Sequence, residues 1–144
     1  QRWVQLLLYT ADKTDSQMMS ALMQLAATRG KLMELIATAE RPGDKQYQEG
    51  AFMPGILSLL DTLLGMPLPE IVNQLNLTDE IRVALLFRKG NLGRLLTLLE
   101  EKERNDVEAV SSMLAELKFL NLNELIVAEL DAVRWTNGLD EVSR

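Results

Sequence analysis

The sequence contains no cysteine and no histidine, and these two absences exclude much of enzyme chemistry. Without cysteine the chain has no disulfide, no thiolate metal ligand and no cysteine nucleophile, which fits a reducing compartment such as the cytoplasm. Without histidine it lacks the commonest transition-metal ligand, the Ser-His-Asp triad and the commonest general base. The sequence therefore predicts a cytoplasmic protein, and for this part of it no enzymatic activity, no cofactor and no metal.

Aromatic residues, glycine and long apolar runs are also scarce. Only 5% of the 144 residues are aromatic and 8 are glycine, whereas 47% are hydrophobic and mostly helix-favouring. The net charge of −6 disfavours nucleic acid and anionic lipid as partners. The longest leucine-rich stretch, residues 56–64, is interrupted by Asp61 and is shorter than the roughly 20 residues that span a bilayer. One soluble all-α domain, residues 1–144, is expected.

Apolar spacing and turn signals predict an antiparallel helical bundle or array of about seven to eight helices. Proline 54 is expected either to open or to kink the third helix. Thr78 is expected to cap a helix, Gly90 to end that helix and Gly138 to end the last one. Asn105 with Glu108 and Asn121 with Glu124 have the spacing of capping boxes. The predicted segments are residues 3–9, 16–39, 46–64, 69–75, 79–89, 92–103, 107–118 and 122–137.

Arg29 is unusual because it falls in the middle of a helical apolar stripe, formed by Met18, Leu22, Leu25 and Ile36. The favoured interpretation is a partly buried ion pair with Asp61, which lies at the edge of the apolar face of the next helix. The alternative is a bidentate grip on a phosphate or carboxylate of a ligand. No second basic residue nearby supports that alternative.

Two further clusters could suggest chemistry but are expected to be structural. The densest acidic group, Glu100, Glu101, Glu103, Asp106 and Glu108, is interpreted as a solvated helix end. Residues 88–93 contain two glycines, but they lie at a helix-to-helix turn, whereas phosphate loops need a longer glycine-rich segment after a strand.

The first predicted helix and the last one carry the candidate interaction residues. Apolar side chains of residues 3–9, including Trp3, Leu7 and Leu8, cover most of a helical circumference and must be covered on several sides. Trp3 and Trp135 could pack together or face a neighbour. Because the sequence opens on Gln1 without a leader, it is expected to be a piece of a longer chain. In isolation it should expose an apolar patch or bury that patch in a homodimer.

Residues 51–68, AFMPGILSLLDTLLGMPL, closely resemble the "AF..G..SLLD.LLG.PL" segment of HDOD domains (HD-related output domains), especially those joined to an EAL domain. Similar pieces surround it in the same order, at residues 2–7, 29–35, 77–86, 92–96 and 135–137. The resemblance covers nearly the whole chain. Because the earlier helices of the family are absent, it is a resemblance to the C-terminal part of such a domain.

The resemblance implies a bacterial protein of cyclic di-GMP signalling, in which an EAL phosphodiesterase-type domain precedes this part. HDOD domains resemble HD-type metal phosphohydrolases that have lost their His and Asp ligands, and this chain has no histidine. Arg29 and Glu34 match the family's "R....E" pattern and Asp61 its "SLLD", which makes these three the structural ion-pair candidates.

The function implied is a non-catalytic output module whose partners are the upstream EAL domain, the missing HDOD helices and an unknown signalling protein. A first alternative is a residual phosphohydrolase or a nucleotide sensor that uses Arg29, Arg41, or Arg88 with Lys89. A second alternative is a generic helical scaffold with a peptide groove.

Overall fold

The computed structural model describes the backbone of residues 16–142 and the side chains of residues 21–138. Within this range the chain is helical and contains no strand, which confirms the expected all-α class. None of these helices is long and apolar enough to cross a membrane. The helices are α1 (Ser16–Glu40), α2 (Lys45–Leu57), α3 (Leu60–Leu64), α4 (Leu68–Gln74), α5 (Asp79–Phe87), α6 (Gly90–Glu103), α7 (Val107–Leu117) and α8 (Leu122–Val142). The segment 3–9 predicted from sequence lies outside the described residues.

Helices α1 and α2 form the closest packing in the structure because two glycines meet at their crossing. A Cβ atom on Gly55 would lie 2.6 Å from the Cα of Gly30 and 2.7 Å from the carbonyl oxygen of Arg29. A Cβ on Gly30 would likewise lie 2.6 Å from Ile56. The absence of both side chains lets the two backbones touch and fixes which residues of α1 face the end of α2.

The helix predicted over residues 46–64 is two helices, α2 and α3, with a break at Ser58 and Leu59. Pro54 lies inside α2, so it neither opens that helix nor marks the break. The hydroxyl of Ser58 donates to the carbonyl of Gly55 at 2.9 Å, and the amide of Leu59 donates to the carbonyl of Ile56 at 3.4 Å. The local hydrogen bonding thus tightens from the α to the 3₁₀ pattern, and the α-helix stops there.

Helix α6 lies in the centre of the described core. Its leucines are buried on several sides of the helix, and their side chains are 0–2% exposed. Helices α1, α2, α5 and α7 pack around it. The buried leucines of α6 are Leu92, Leu95, Leu96, Leu98 and Leu99.

Two of the predicted helix starts are confirmed. The hydroxyl of Thr78 accepts from the amide of Ile81 at 3.4 Å. Asn121 and Glu124 form the reciprocal capping box, with amide-to-side-chain distances of 2.8 and 3.0 Å.

Three predicted helix ends differ from the structure. Asp106, not Asn105, caps α7 by accepting from Ala109 at 3.1 Å, because Asn105 has a left-handed φ of 59° and belongs to the preceding turn. Gly90 starts α6, since α5 already ends at Phe87 and Arg88 takes the left-handed cap position. Gly138 lies within α8, which continues to Val142.

Candidate functional site

The guanidinium group of Arg29 lies at the junction of α1, α2 and α6. It is 6% exposed and donates to both carboxylate oxygens of Glu103, from Nε at 3.0 Å and from Nη2 at 2.5 Å. Its Nη1 donates to the hydroxyl of Ser58 at 2.7 Å. Three hydrogen bonds, two of which form the ion pair with Glu103, therefore hold the charge that the sequence places in an apolar stripe.

Asp61, the expected partner of Arg29, and Glu34, the third ion-pair candidate, do not contact its guanidinium group. Asp61 accepts from the amide of the adjacent Thr62 at 2.8 Å, at the start of the short helix α3. Glu34 pairs with Lys31 on its own helix at 3.5 Å. The carboxylate that pairs with Arg29 is therefore that of Glu103 and not that of Asp61. The chain turns at the break after α2, so Ser58 faces Arg29 and Asp61, three residues later, does not.

A second arginine, Arg88, forms a bidentate ion pair with Glu100, which lies one turn before Glu103 on α6. Arg88 donates from Nε and Nη2 to the two oxygens of Glu100, at 2.8 and 3.0 Å, and from Nη1 to the carbonyl of Leu85. Its backbone has a left-handed φ of 54°. Gly93 makes room for this turn, because a Cβ there would lie 2.4 Å from the carbonyl carbon of Arg88. The glycines of residues 88–93 thus serve packing and the turn.

The pKa of the Glu100 carboxyl reflects two opposing effects. Burial alone would raise it, but the hydrogen bonds and charge of Arg88, with smaller contributions from Arg29 and Arg104, hold the pKa below its ordinary value. Glu100 therefore stays ionised where it is half-buried.

The last turn of α6 forms ion pairs with three other parts of the fold, namely α1, the end of α5 and α8. Glu103 reaches α1 through Arg29, Glu100 reaches the end of α5 through Arg88, and Lys102 pairs with Glu129 of α8. The acidic group that the sequence suggested to be a solvated helix end therefore supplies partners to the buried Arg29 and the partly buried Arg88. Two features of the sequence could have suggested these pairings. One is the cluster of carboxylates at the end of α6, and the other is the pair of arginines at an apolar and at a turn position.

Tyr47 and its neighbours form a small polar cluster at the loop between α1 and α2. The Tyr47 hydroxyl donates to Glu40 at 2.5 Å, and the guanidinium of Arg41 lies 4.0 Å from the ring centroid. Burial, followed by the hydrogen bond and charge of Glu40, raises the pKa of Tyr47 well above its usual value. The Tyr47 hydroxyl thus has a hydrogen-bond acceptor in Glu40, and the guanidinium of Arg41 makes a cation–π contact with the Tyr47 ring.

Helix α8 packs antiparallel on α1. The hydroxyls of Thr28 and Thr136 are 2.9 Å apart. Trp135 meets the ring of Phe52 edge-on at 5.8 Å and carries Lys31 over its face at 5.2 Å. Trp135 is therefore packed between α1 and α2, and Trp3 lies outside the described residues.

The outer face of α8 is an exposed apolar surface, here named the α8 stripe, whose side chains are 40–53% exposed. A separate shallow groove between α1 and α8 is lined by Leu35, Val127 and Ala128 together with Glu124 and Asp131. Single exposed apolar residues are ordinary, but a row of four on one helix face indicates an interaction surface. The α8 stripe consists of Leu122, Ile126, Leu130 and Val133.

The described residues contain no group of three acidic residues arranged to hold a metal ion. Every buried side-chain nitrogen or oxygen among them has a hydrogen-bond partner. The candidate features in this part of the chain are therefore the ion pairs between its helices and the exposed apolar α8 stripe.

Comparison with known proteins places this chain beside two bacterial proteins. Over 135 residues, 94% of the chain, it is 33% identical to "Cyclic di-GMP phosphodiesterase CdgJ" of Vibrio cholerae serotype O1. Over 119 residues it is 31% identical to "Uncharacterized protein YuxH" of Bacillus subtilis. The chain spans 31% and 27% of the lengths of these two relatives. No protein-family model matches the sequence. No solved structure matches it either.

Proposed function

We propose that this chain is a regulatory interaction module of a bacterial protein of cyclic di-GMP signalling, and that it corresponds to the C-terminal part of an HDOD domain. The observation that carries the proposal is the similarity to the cyclic di-GMP phosphodiesterase CdgJ over 94% of the chain. The resemblance of residues 51–68 to the HDOD signature supports the finer assignment.

The use of the charged side chains supports a role in binding rather than in catalysis. Arg29 and Arg88 are each held by a carboxylate on α6, so their guanidinium groups are occupied within the fold. Arg41 covers the ring of Tyr47. A nucleotide sensor would have to release these arginines from their internal contacts before they could bind a phosphate. The sensor is therefore the weaker alternative.

The α8 stripe is the surface through which we propose that the module acts. An amphipathic helix of a partner would lay its apolar side along the stripe, with Ile126 and Leu130 at its centre. In the proposed whole protein the partner is the catalytic EAL-type domain. The module would then alter turnover by binding, with no chemistry of its own.

The proposal is tested on the intact gene product by measuring cyclic di-GMP hydrolysis. Ile126→Lys places a charge in the stripe at a residue that is 43% exposed, so folding should be nearly unchanged. We expect the rate of hydrolysis to change by about fivefold or more, which corresponds to a typical coupling energy.

Val107→Lys is the matched control, because Val107 is 71% exposed and lies on α7, away from the stripe. It should leave hydrolysis at the wild-type rate. Equal rates for the wild type and both variants would reject regulation through this surface.

Calorimetry separates the module from the sensor alternative. Cyclic di-GMP titrated into the isolated chain should give no binding heat, and no product should form on incubation. Binding that is lost in Arg29→Met or Arg88→Met would instead favour the sensor.

A further inference from the structure

Helix α8 buries one face against the rest of the fold and exposes a second face that is also apolar. The buried face includes Leu125 and Ala132, which are both 0% exposed, and Trp135, whose ring meets that of Phe52. The α8 stripe lies roughly 120° away around the helix axis, at about 100° per residue. Its side chains remain 40–53% exposed with all the described residues in place. A row of this kind indicates contact with something beyond them.

The exposed face of α8 has the three-and-four spacing of a coiled-coil seam. Ile126, Leu130 and Val133 take successive d, a and d positions of a heptad lettered a to g. Asn123 and Asn137 take the a positions on either side, and both are exposed. Asparagine at an a position costs stability but specifies the register and the number of helices that pair. These five residues, here called the α8 seam, are therefore matched to a second helix.

The positions beside the α8 seam are complementary to those of a second copy that runs parallel to the first. In a parallel pair, a g residue faces the e residue of the partner helix in the next heptad. Leu122 at g then meets Val127 at e, and these side chains are 50% and 56% exposed. Glu129 at g meets Arg134 at e, which has the opposite charge and is 79% exposed. Both contacts occur twice in a symmetric pair, so the surface complements itself.

An antiparallel pair would use the same residues less well. If the partner runs in the opposite direction with Asn123 opposite Asn137, g positions face g positions and e positions face e positions. The two Glu129 carboxylates would then approach each other across the seam, and like charges placed together at an interface are unfavourable. The pattern of charges therefore favours the parallel orientation.

The contact is short, but the helix that makes it is already formed. Isolated helices shorter than about 12–15 residues are marginal in water. Helix α8 has 21 residues and is held on α1 and by the ion pair of Glu129 with Lys102, so association does not have to order it. Contacts that bury less than about 1,200 Å² in total are typical of transient complexes. The pairing is therefore expected to be weak and reversible.

We propose that two copies of this chain associate through parallel, in-register pairing of their α8 helices along the α8 seam. The pairing covers the five exposed apolar residues of the described part of α8 and joins Glu129 of each copy to Arg134 of the other. One consequence rests on the function proposed above. Because a second copy and the EAL-type domain would use the same stripe, each excludes the other, and self-association would limit the regulatory contact.

Single cysteines test the pairing, since the chain has none of its own. Asn123→Cys and Asn137→Cys each place a thiol on the seam, where a parallel pair brings the two identical residues together. Asp131→Cys is the matched control, because Asp131 is exposed on the same helix at a b position away from the seam. With a mild oxidant, both seam variants should form covalent dimers at least about tenfold faster than the control, because a disulfide needs Cα atoms within roughly 7 Å. Rates are normalised to each thiol's reaction with a small maleimide.

A mixture of Asn123→Cys and Asn137→Cys chains determines the orientation. Parallel pairing predicts disulfides between identical residues, identified from the linked peptides by mass spectrometry. A majority of mixed disulfides would overturn the parallel arrangement, and dimerisation no faster than that of Asp131→Cys would overturn the pairing itself.

The charge of Arg134 tests the register. Arg134→Glu turns the attraction to Glu129 into repulsion and should slow the dimerisation of Asn137→Cys by at least about threefold. An unchanged rate would overturn the register. Circular dichroism checks that each variant keeps its helices, and Leu130→Cys replaces any seam variant that does not. No hydrolysis is measured, so a failure here leaves the proposed regulatory function standing.

Discussion

At the scale of single residues, the charge of Arg29 is the costliest group in the described core. A guanidinium that is 6% exposed loses nearly all of its hydration, and the loss has to be offset by partners within the protein. Glu103 supplies a carboxylate in the bidentate arrangement and Ser58 supplies a neutral oxygen. Glu103 is itself 38% exposed, so the pair lies at the edge of the core, where one partner stays hydrated.

Glu103→Gln should therefore destabilise the fold by about 1–3 kcal/mol, because Arg29 keeps its burial and loses its counter-charge. Urea unfolding at neutral pH measures the change. Asp61→Asn is the control, and it should cost less than about 1 kcal/mol, since Asp61 bonds only within its own helix start. A larger loss for Asp61→Asn than for Glu103→Gln would contradict the pairing.

The pair of Glu100 and Arg88 should give the stability a measurable pH dependence. The hydrogen bonds and charge of Arg88 hold the folded-state pKa of Glu100 below its ordinary value of 4.5. Its contribution to stability is therefore present above that pH and is lost as the pH falls through the folded-state pKa. The difference in unfolding free energy between the wild type and Glu100→Gln should be largest at neutral pH and shrink below about pH 4.5. An equal difference at neutral and acidic pH would contradict this. Glu116→Gln, at an exposed position, is the control and should show little difference throughout.

At the scale of helices, the crossing of α1 and α2 depends on backbone contact rather than on interlocking side chains. A methyl group on Gly55 would meet backbone atoms of Gly30 and Arg29, which cannot move aside as a flexible side chain can. The same crossing places Ser58 beside Arg29, so the packing of two helices also determines the polar site between them.

Gly55→Ala should consequently destabilise the protein by about 1–3 kcal/mol, the usual cost of overpacking. Gly50→Ala, on the same helix with open space around the added methyl, should be neutral or stabilise by up to about 1 kcal/mol. Thermal and urea unfolding of both variants compare the two positions. Similar losses at both would show that helix propensity, not the crossing, decides the effect.

At the scale of the whole molecule, the helices differ in how firmly they are held. Helices α1, α2 and α6 share the central core, whereas α7 packs mainly on α6 and buries only Val110 and Leu114 below the surface. Local opening is cheapest where few apolar side chains are buried. The structure is therefore expected to open first at α7.

Amide hydrogen exchange should show this order directly. The amides of α7 are expected to exchange faster than those in the middle of α1 and α6, by at least about tenfold, which corresponds to roughly 1.4 kcal/mol in opening free energy. Exchange of α7 as slow as that of α6 would show that α7 unfolds only with the whole protein.

The helical class and most of the helix positions follow from the sequence alone, because apolar periodicity, proline and local caps act within a few residues of the chain. The caps at Thr78 and at Asn121 with Glu124 needed no tertiary information. The apolar pattern also identified Arg29 as a charge that needs partners. That its partner is Glu103, 74 residues away, and that Gly55 brings α2 close enough for Ser58 to bond to Arg29, became visible in the packed structure. Such choices depend on the angle and depth at which distant helices pack, and no local pattern encodes these.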